Sequence, residues 1–80
     1  MKPALTRDRG HLTAKLAVAL TRTRQPDPAR AAALGLHALA AARQTGSARI
    51  LGELSTLNQR LADQWPDHPA SLSIREALAA

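Results

Sequence analysis

The sequence predicts an all-α fold of about four helices that pair as antiparallel helical hairpins. Hydrophobic residues make up 45% of the 80 residues, whereas aromatic residues make up only 1%. Ala and Leu therefore supply most of the apolar bulk, which favours closely packed helices over strands. Apolar residues also recur every three or four positions, and short turn signals separate the segments that carry this period.

The first helix is predicted to follow an N-terminal segment, residues 1–8, that we expect to be flexible. Asp8 is a candidate N-cap for this helix. The helix should end near Thr23 or Arg24, because Pro26 cannot donate to the helical ladder and restricts the residue before it. We therefore expect one helical domain over residues 9–80. The predicted buried row of the first helix consists of Leu12, Leu16 and Leu20, with Ala17 beside them.

The second helix is predicted to begin at Pro28. Asp27 can accept a hydrogen bond from the amides of the first turn, and a proline at the first helical position loses no hydrogen bond. Two neighbouring faces follow along the helix. The small residues are Ala31, Gly35, Ala38 and Ala42, and the larger ones are Leu34, Leu36 and Leu39. Because small residues let another backbone approach closely, we interpret Gly35 as a contact point.

A tight reversal is predicted at Gly46 and Ser47, in the centre of the chain. Gly46 can adopt the left-handed conformation that ends a helix, and Ser47 can cap the helix that follows. So short a connection leaves no chain to carry the third helix elsewhere. Helices two and three should therefore be antiparallel neighbours.

The C-terminal half predicts two further helices. The buried face of helix three consists of Ile50, Leu54, Leu57, Leu61 and Trp65, with Leu51 at the edge. Trp65 could serve as a ligand platform, but its place at the end of this row favours a role in closing the core. Helix four should begin at Pro69. Its apolar residues, which should pack against helix three, are Leu72, Ile74, Ala77 and Leu78.

We predict no catalytic residue, no cofactor-binding residue and no metal ligand. His11, His37 and His68 are far apart in sequence and form no paired-histidine zinc motif. The acidic residues do not cluster with a nucleophile or a base, and Glu53 is expected to pair with Arg49 on the helix surface. The start of helix three could bind an anion, but capping accounts for its residues. We therefore expect a protein that needs no cofactor and is not an enzyme.

The composition is typical of a soluble cytoplasmic protein. The sequence contains no cysteine, so disulfides and thiolate metal sites are excluded and the reducing cytoplasm is the default compartment. No apolar run approaches the roughly 20 residues that span a bilayer, and no secretory signal pattern is found.

The formal net charge of +5 raises two alternatives. A small basic protein could associate with nucleic acid by nonspecific attraction to phosphates, although specific base reading is not expected of a helix three rich in leucine. The basic segment 13–24 could instead lie on a membrane surface. Dispersed arginines are more typical of a solvated helical exterior. We keep nucleic acid as the alternative and expect no membrane or small-molecule partner.

Two stretches of the sequence resemble a known family. Residues 27–61, DPARAAALGLHALAAARQTGSARILGELSTLNQRL, and the later REAL of residues 75–78 resemble the C-terminal end of actinobacterial Cro/CI-like helix-turn-helix transcriptional regulators. The resemblance covers roughly residues 12–78, and the junction at residues 45–49 is its most specific element. The tails of these regulators are tetratricopeptide-like helical arrays, in which small residues stand where helices cross. Ala31, Gly35 and Ala38 match those small positions.

This resemblance implies a right-handed array of about two hairpins and a regulatory or partner-binding role. The sequence does not contain the DNA-binding domain of such regulators, so DNA recognition is not transferred to it. We predict a noncatalytic protein-interaction or regulatory module. Helix one should expose part of its apolar face, because a repeat inside an array buries surface on both sides. A protein partner or self-association is therefore expected.

Overall fold

Four α-helices make up most of the part of the chain, residues 3–80, that the computed structural model describes. They are α1 (Pro3–Leu20), α2 (Pro28–Thr45), α3 (Ala48–Gln64) and α4 (Pro69–Ala79). No strand occurs within the described residues. The predicted all-α fold of antiparallel helical hairpins is therefore confirmed.

The helices stack in chain order. Each helix contacts the next helix and the one after it, whereas α1 and α4 do not contact each other within residues 3–80. This is the pattern of one hairpin stacked on another. We expected α4 to pack against α3, but its larger contact is with α2. The reason is a gap at Gly35, into which the side chain of Ile74 fits.

The central reversal forms as the sequence predicts. Gly46 has φ 66° and ψ 27°, in the left-handed region, and its backbone N–H donates to the carbonyl of Ala42 at 2.7 Å. Ser47 then caps α3, because its Oγ accepts a hydrogen bond from the backbone N–H of Ile50 at 3.3 Å. These two residues end one helix and begin the next without any intervening chain.

The other helix starts also follow the predicted signals. Asp27 is the N-cap of α2, with its Oδ1 accepting from the backbone N–H of Arg30 at 3.0 Å, and Pro28 is the first helical residue. Pro69 is the first residue of α4. His68 caps that helix, since its Nδ1 accepts from the backbone N–H of Ala70 at 2.9 Å.

The centre of the core is the predicted face of α3. Ile50, Leu54, Leu57 and Leu61 are fully buried. The small residues of α2 surround them, and those that are buried are Ala31, Ala32, Gly35, Ala38 and Ala42. The row of large residues on α3 thus packs against the row of small residues on α2, as expected for helices that cross at close range.

Trp65 follows the last residue of α3 and covers that end of the core. Its side chain is half-buried and packs against the core, in agreement with the prediction. The hydroxyl of Ser71, a buried residue of α4, donates to the carbonyls of Leu61 at 3.1 Å and of Trp65 at 2.6 Å. Ser71 therefore joins the first turn of α4 to the end of α3, a contact that was not predicted from the sequence.

The first helix begins earlier than predicted. α1 starts at Pro3, so Asp8 lies inside the helix and its assignment as the N-cap is wrong. Proline fits a first helical turn because its missing N–H is not needed there. The predicted boundary between residues 8 and 9 falls within α1. Met1 and Lys2 of the segment that we expected to be flexible lie outside the described residues.

The first helix also ends earlier, at Leu20 and not near residues 23–24. The backbone N–H of Thr21 donates to the carbonyl of Val18 at 3.0 Å, which tightens the last turn. The backbone N–H of Asp27 donates to the carbonyl of Leu20 at 3.1 Å and closes the loop to α2. The loop between α1 and α2 therefore begins about one helical turn earlier than Pro26 alone suggests.

The buried face of α1 is not the predicted one. Leu12 is 69% exposed and Leu16 is 52% exposed, whereas Leu20 is half-buried and Ala17 is fully buried. The residues that α1 buries are Gly10, Ala14, Ala17 and Val18, and Thr21, which follows the helix, is also buried. These small side chains let α1 lie close to both α2 and α3, which larger leucines would prevent.

Gly10 lies at the tightest point of this packing. A Cβ atom placed on Gly10 would lie 2.6 Å from the Cβ of Ala41 and 2.8 Å from the Cδ1 of Ile50. The Cβ of Ala41 is attached directly to the α2 backbone, so it cannot move unless the helix moves. Glycine at this position therefore determines how closely α1 and α2 approach.

A polar contact joins the end of α1 to α3. The buried hydroxyl of Thr21 donates to the carbonyl of Val18 at 2.7 Å and accepts from the Nε of Arg60 at 2.6 Å. The Nη2 of Arg60 also donates to the carbonyl of Thr21 at 3.4 Å. Arg60 thus places a positive charge at the C-terminal end of α1, where the helix dipole favours it.

Glycine-to-alanine changes at three positions should distinguish the effects of side-chain packing, backbone conformation and helix propensity on stability. Gly10→Ala should lower the free energy of unfolding by about 1–3 kcal/mol, because the added methyl group overpacks the contact with Ala41. Gly46→Ala should lower it by about 1 kcal/mol, because alanine is strained at positive φ. Both values are measurable by urea unfolding followed by circular dichroism.

Gly52→Ala is the matched control for both changes. Gly52 lies within α3, and a methyl group added there would have no other atom within 4 Å, so alanine should raise the free energy of unfolding by about 0.5–1 kcal/mol. A stabilised Gly10→Ala variant would contradict the close approach of α1 and α2.

Candidate interaction surfaces

A row of leucines runs along α1 on the side opposite the core. We call Leu5, Leu12 and Leu16 the outer leucine row. Leu5 is 45% exposed, and the other two are more exposed still. The spacing of seven and four residues places all three side chains on one face of the helix. Ala19, which is also exposed, extends the row toward the end of α1.

Charged residues border the outer leucine row on both sides. Asp8 and Lys15, seven residues apart, lie along one edge of the row, and Arg9 lies along the other. All three side chains are exposed. The row is therefore an apolar stripe with a charged rim, which is the usual anatomy of a surface that binds another protein.

The neighbouring face of α1 forms a second surface, which we call the basic groove. It runs between α1 and α3 along two adjoining clefts. Its basic residues are Arg7, His11, Lys15 and Arg22 from α1 and the loop after it, and Arg49 from the first turn of α3. The fold thus brings together several basic residues that are dispersed in the sequence, although Asp8 and Glu53 also line the groove and reduce its charge.

The acidic residue in the middle of this groove does not have its predicted partner. Glu53 was expected to pair with Arg49 on α3. Instead, the Oε1 of Glu53 lies 3.9 Å from the Nε2 of His11 on α1, and both side chains are half-buried. The close packing of α1 against α3 places His11 beside Glu53, so a contact between helices replaces the expected contact within α3.

The larger cleft of the basic groove does not have the features of a small-molecule site. Its volume is about 490 Å³, within the size range of ligand pockets. However, its lining is charged side chains and the loop at Gly46, without the apolar walls that such sites use. Within residues 5–80, every buried side-chain polar atom has a hydrogen-bond partner, so none points unpaired into the cleft.

Two other arginines have structural contacts. The Nη2 of Arg43 on α2 donates to the carbonyl of Ala77 on α4 at 3.1 Å. Arg60 on α3 donates to Thr21 at the end of α1. The interpretation of the arginines as a solvated exterior therefore misses two residues that connect helices through backbone carbonyls.

A third surface, between α2 and α4, is shallow and mostly apolar. It is lined by Ala29, Ala32, Ala33, Leu36, His68, Pro69, Ala70 and Ser73. Leu36, at 40% exposed, is the only large aliphatic side chain among them. Because small residues dominate this surface, it offers less apolar area to a partner than the outer leucine row does.

The histidines take three different places. His11 contacts Glu53, His37 is exposed on α2, and His68 caps α4. In the described part of the chain, no three histidine, aspartate or glutamate side chains lie together as metal ligands would. No helix among the described residues is long and apolar enough to cross a membrane.

Comparison of the chain with protein-family models, curated proteins and solved structures found no match. The resemblance to the tails of Cro/CI-like regulators therefore stays a prediction. The surfaces of the molecule itself are the basis for the proposed function.

The sequence carries one signal, in competition with the leucines, that favours the outer leucine row as the exposed face of α1. Gly10, Ala14, Ala17 and Thr21 recur at spacings of four, three and four residues, which is the same signal of close packing as Ala31, Gly35 and Ala38. Choosing the largest apolar residues of α1 as its buried face reversed the orientation of the helix. Where a small-residue row and a leucine row compete, the packing distance decides which one is buried.

Shortening an outer leucine should have little effect on the fold. Leu12→Ala should change the free energy of unfolding by less than about 0.5 kcal/mol in dilute solution, because the side chain is mostly in water. Leu57→Ala, the same change at a fully buried position, should cost about 2–5 kcal/mol. Urea unfolding of both variants measures the difference. Equal losses would show that Leu12 belongs to the core.

Proposed function

We propose that this chain is a noncatalytic protein-interaction module that binds through the outer leucine row of α1. One observation carries the proposal: α1 packs on the molecule through small residues and directs Leu5, Leu12 and Leu16 away from it. Such an arrangement leaves apolar area in water that a partner can cover. We expect the chain to present this face of α1 to the partner as a rigid binding surface.

Two physical arguments support this surface over the others. Burying a leucine fully is worth about 1.5–3 kcal/mol, and each leucine of the row still has about half or more of its surface available for burial. In addition, α1 is fixed by contacts with both α2 and α3, so its outer face is rigid before binding. A partner therefore does not have to order this helix, which reduces the entropic cost of association.

The stacking of the helices is consistent with a tetratricopeptide-like array. In such arrays each hairpin contacts only its neighbours, and a helix at an end has one uncovered face. We propose that the four helices form a right-handed array of this kind, in which one face of α1 is uncovered. A regulatory role in the cytoplasm, as in the C-terminal part of a bacterial transcriptional regulator, follows from the sequence resemblance and is part of this proposal.

Photo-crosslinking in cells tests the proposed surface. A photoreactive phenylalanine analogue in place of Leu12 should give a discrete adduct with a protein, because a bound partner would cover this position. The matched control is the same replacement at Leu51, an isolated leucine of α3 that is 46% exposed and lies outside the row. The mass of the adduct identifies the partner. Equal labelling of both positions, or no adduct at Leu12, would reject the outer leucine row as the interaction surface.

The basic groove supports a second candidate function, nonspecific association with nucleic acid. Arg7 and Arg49 line one of its two clefts and Lys15 and Arg22 line the other, so a phosphate backbone that follows the groove would meet cationic side chains in both. Against this, Asp8 and Glu53 lie in the same groove and repel phosphate. The interaction module therefore remains the first proposal.

Binding to a short DNA duplex of mixed sequence at several salt concentrations tests this second candidate. If the groove holds phosphates, the logarithm of the affinity should fall with the logarithm of salt at about −0.9 per contacted phosphate. Lys15→Ala together with Arg22→Ala should then reduce this slope by about 2, whereas Arg75→Ala on α4 should leave it unchanged. Absence of binding at physiological salt would exclude the nucleic-acid function.

A further inference from the structure

We infer that the partner of the outer leucine row is the same row of a second copy of this chain, with the two α1 helices packed antiparallel. This inference rests on the proposed function, since it uses the same surface, and it adds the identity and the orientation of the partner. Three features of α1 support it: the spacing of its exposed apolar residues, the order of the charges along its rim, and the length of its free face.

The first feature is the spacing of the row. Leu5, Leu12, Leu16 and Ala19 follow one another at intervals of seven, four and three residues. These intervals place Leu5, Leu12 and Ala19 on d positions and Leu16 on an a position of a heptad pattern, with Arg9 on the a position between Leu5 and Leu12. A heptad is the pattern by which one helix packs lengthwise against another. The row therefore fits a helix as its partner better than it fits a loop or a strand.

The second feature is the order of the charges. Asp8 precedes Lys15 by two helical turns on the same edge of the row. In an antiparallel pair related by a twofold axis, this edge of one helix faces the same edge of the other in reverse order. Asp8 of each copy then lies opposite Lys15 of the other copy. The dimer therefore contains two ion pairs, each between Asp8 of one copy and Lys15 of the other.

A parallel pair would not make these contacts. In parallel helices the edge that carries Asp8 and Lys15 faces the opposite edge of the partner, where Thr13 and Leu20 stand. No charged residue there complements Asp8 or Lys15. The charge pattern on α1 is therefore complementary to itself only in the antiparallel arrangement, which fixes the orientation of the proposed dimer.

The same arrangement sets the register of the two helices. Placing Asp8 opposite Lys15 brings Leu5 of one copy next to Leu16 of the other, and Leu12 next to Arg9. Arg9 is exposed and lies at the border of the row, so its aliphatic stem can cover Leu12 while its guanidinium reaches water. The two Arg9 side chains lie near each other across the dimer, and their repulsion limits its strength.

The third feature is the length of the free face. α1 has 18 residues and is therefore about 27 Å long, and the row extends over most of it. A single helix pair of this length buries less area than the roughly 1,600 Å² of a standard interface, and small interfaces are typical of weak, transient association. We therefore expect a micromolar Kd. The chain should therefore convert between monomer and dimer as its concentration changes.

Sedimentation equilibrium of the purified full chain, from about 1 μM to about 1 mM, tests the dimer, because a micromolar Kd falls within this range. The expected result is a reversible monomer–dimer equilibrium. Leu12→Glu should weaken it at least about tenfold, because two leucines leave the interface. Circular dichroism of this variant should retain the helical spectrum, since Leu12 is mostly exposed.

Charge reversals test the antiparallel register independently of the leucines. Asp8→Lys alone or Lys15→Asp alone should weaken the dimer about fivefold to tenfold, because each places like charges opposite each other twice. The double variant, which exchanges the two charges, should restore the Kd of the unchanged chain. Arg75→Asp on α4 changes the net charge as Lys15→Asp does, so it is the charge control for that variant and should leave the Kd unchanged.

Several results would overturn the inference. A double variant that dimerises no better than the single variants would exclude the antiparallel register. A chain that stays monomeric up to the highest concentration would exclude the second copy as the partner. If crosslinking at Leu12 then yields a different protein, the proposed interaction function still stands. Binding of the monomeric chain to phosphatidylserine vesicles, lost in Leu12→Glu, would identify a lipid surface as the occupant and overturn the inference as well.

Discussion

The close approach of the helix backbones is the constraint on which this structure depends. The buried positions of α1 and α2 are mainly glycine and alanine, and the large aliphatic residues of α3 pack against both of these helices. At Gly10 and Gly35, even one additional carbon atom would lie within 3 Å of a neighbouring side chain. Only 1% of the residues are aromatic, so few large side chains are present to fill a core. The core is instead close-packed because the helices lie near each other.

This constraint also explains where the candidate interaction surface lies. Because α1 turns its small residues inward, Leu5, Leu12 and Leu16 point outward and form a row on the face opposite the core. The same orientation places Arg7 and Lys15 of α1 along its boundary with α3. The two surfaces are thus consequences of one packing arrangement, and the inner and outer faces of α1 are both adapted to contact with other helices.

Local signals in the sequence predict most of the architecture. The starts of α2, α3 and α4 and the reversal at Gly46 depend on short-range hydrogen bonds and backbone preferences, which neighbouring residues determine. The buried face of α3 follows from its regular period. The orientation of α1 could not be derived in the same way, because two faces competed and the choice depended on contacts with distant residues such as Ala41 and Ile50. For the same reason, the pairing of Glu53 with His11 and of Arg60 with Thr21 could not be predicted from spacing along one helix.

The order in which the helices meet has a consequence for the speed of folding. Each helix contacts only the next two along the chain, and the two ends of the described chain do not meet. The average separation in sequence between contacting residues is therefore small, and little chain entropy has to be lost before native contacts form. Proteins with such local topology reach the native state in microseconds to milliseconds. The hairpin at Gly46, whose helices have the shortest connection in the molecule, is the natural place for this process to start.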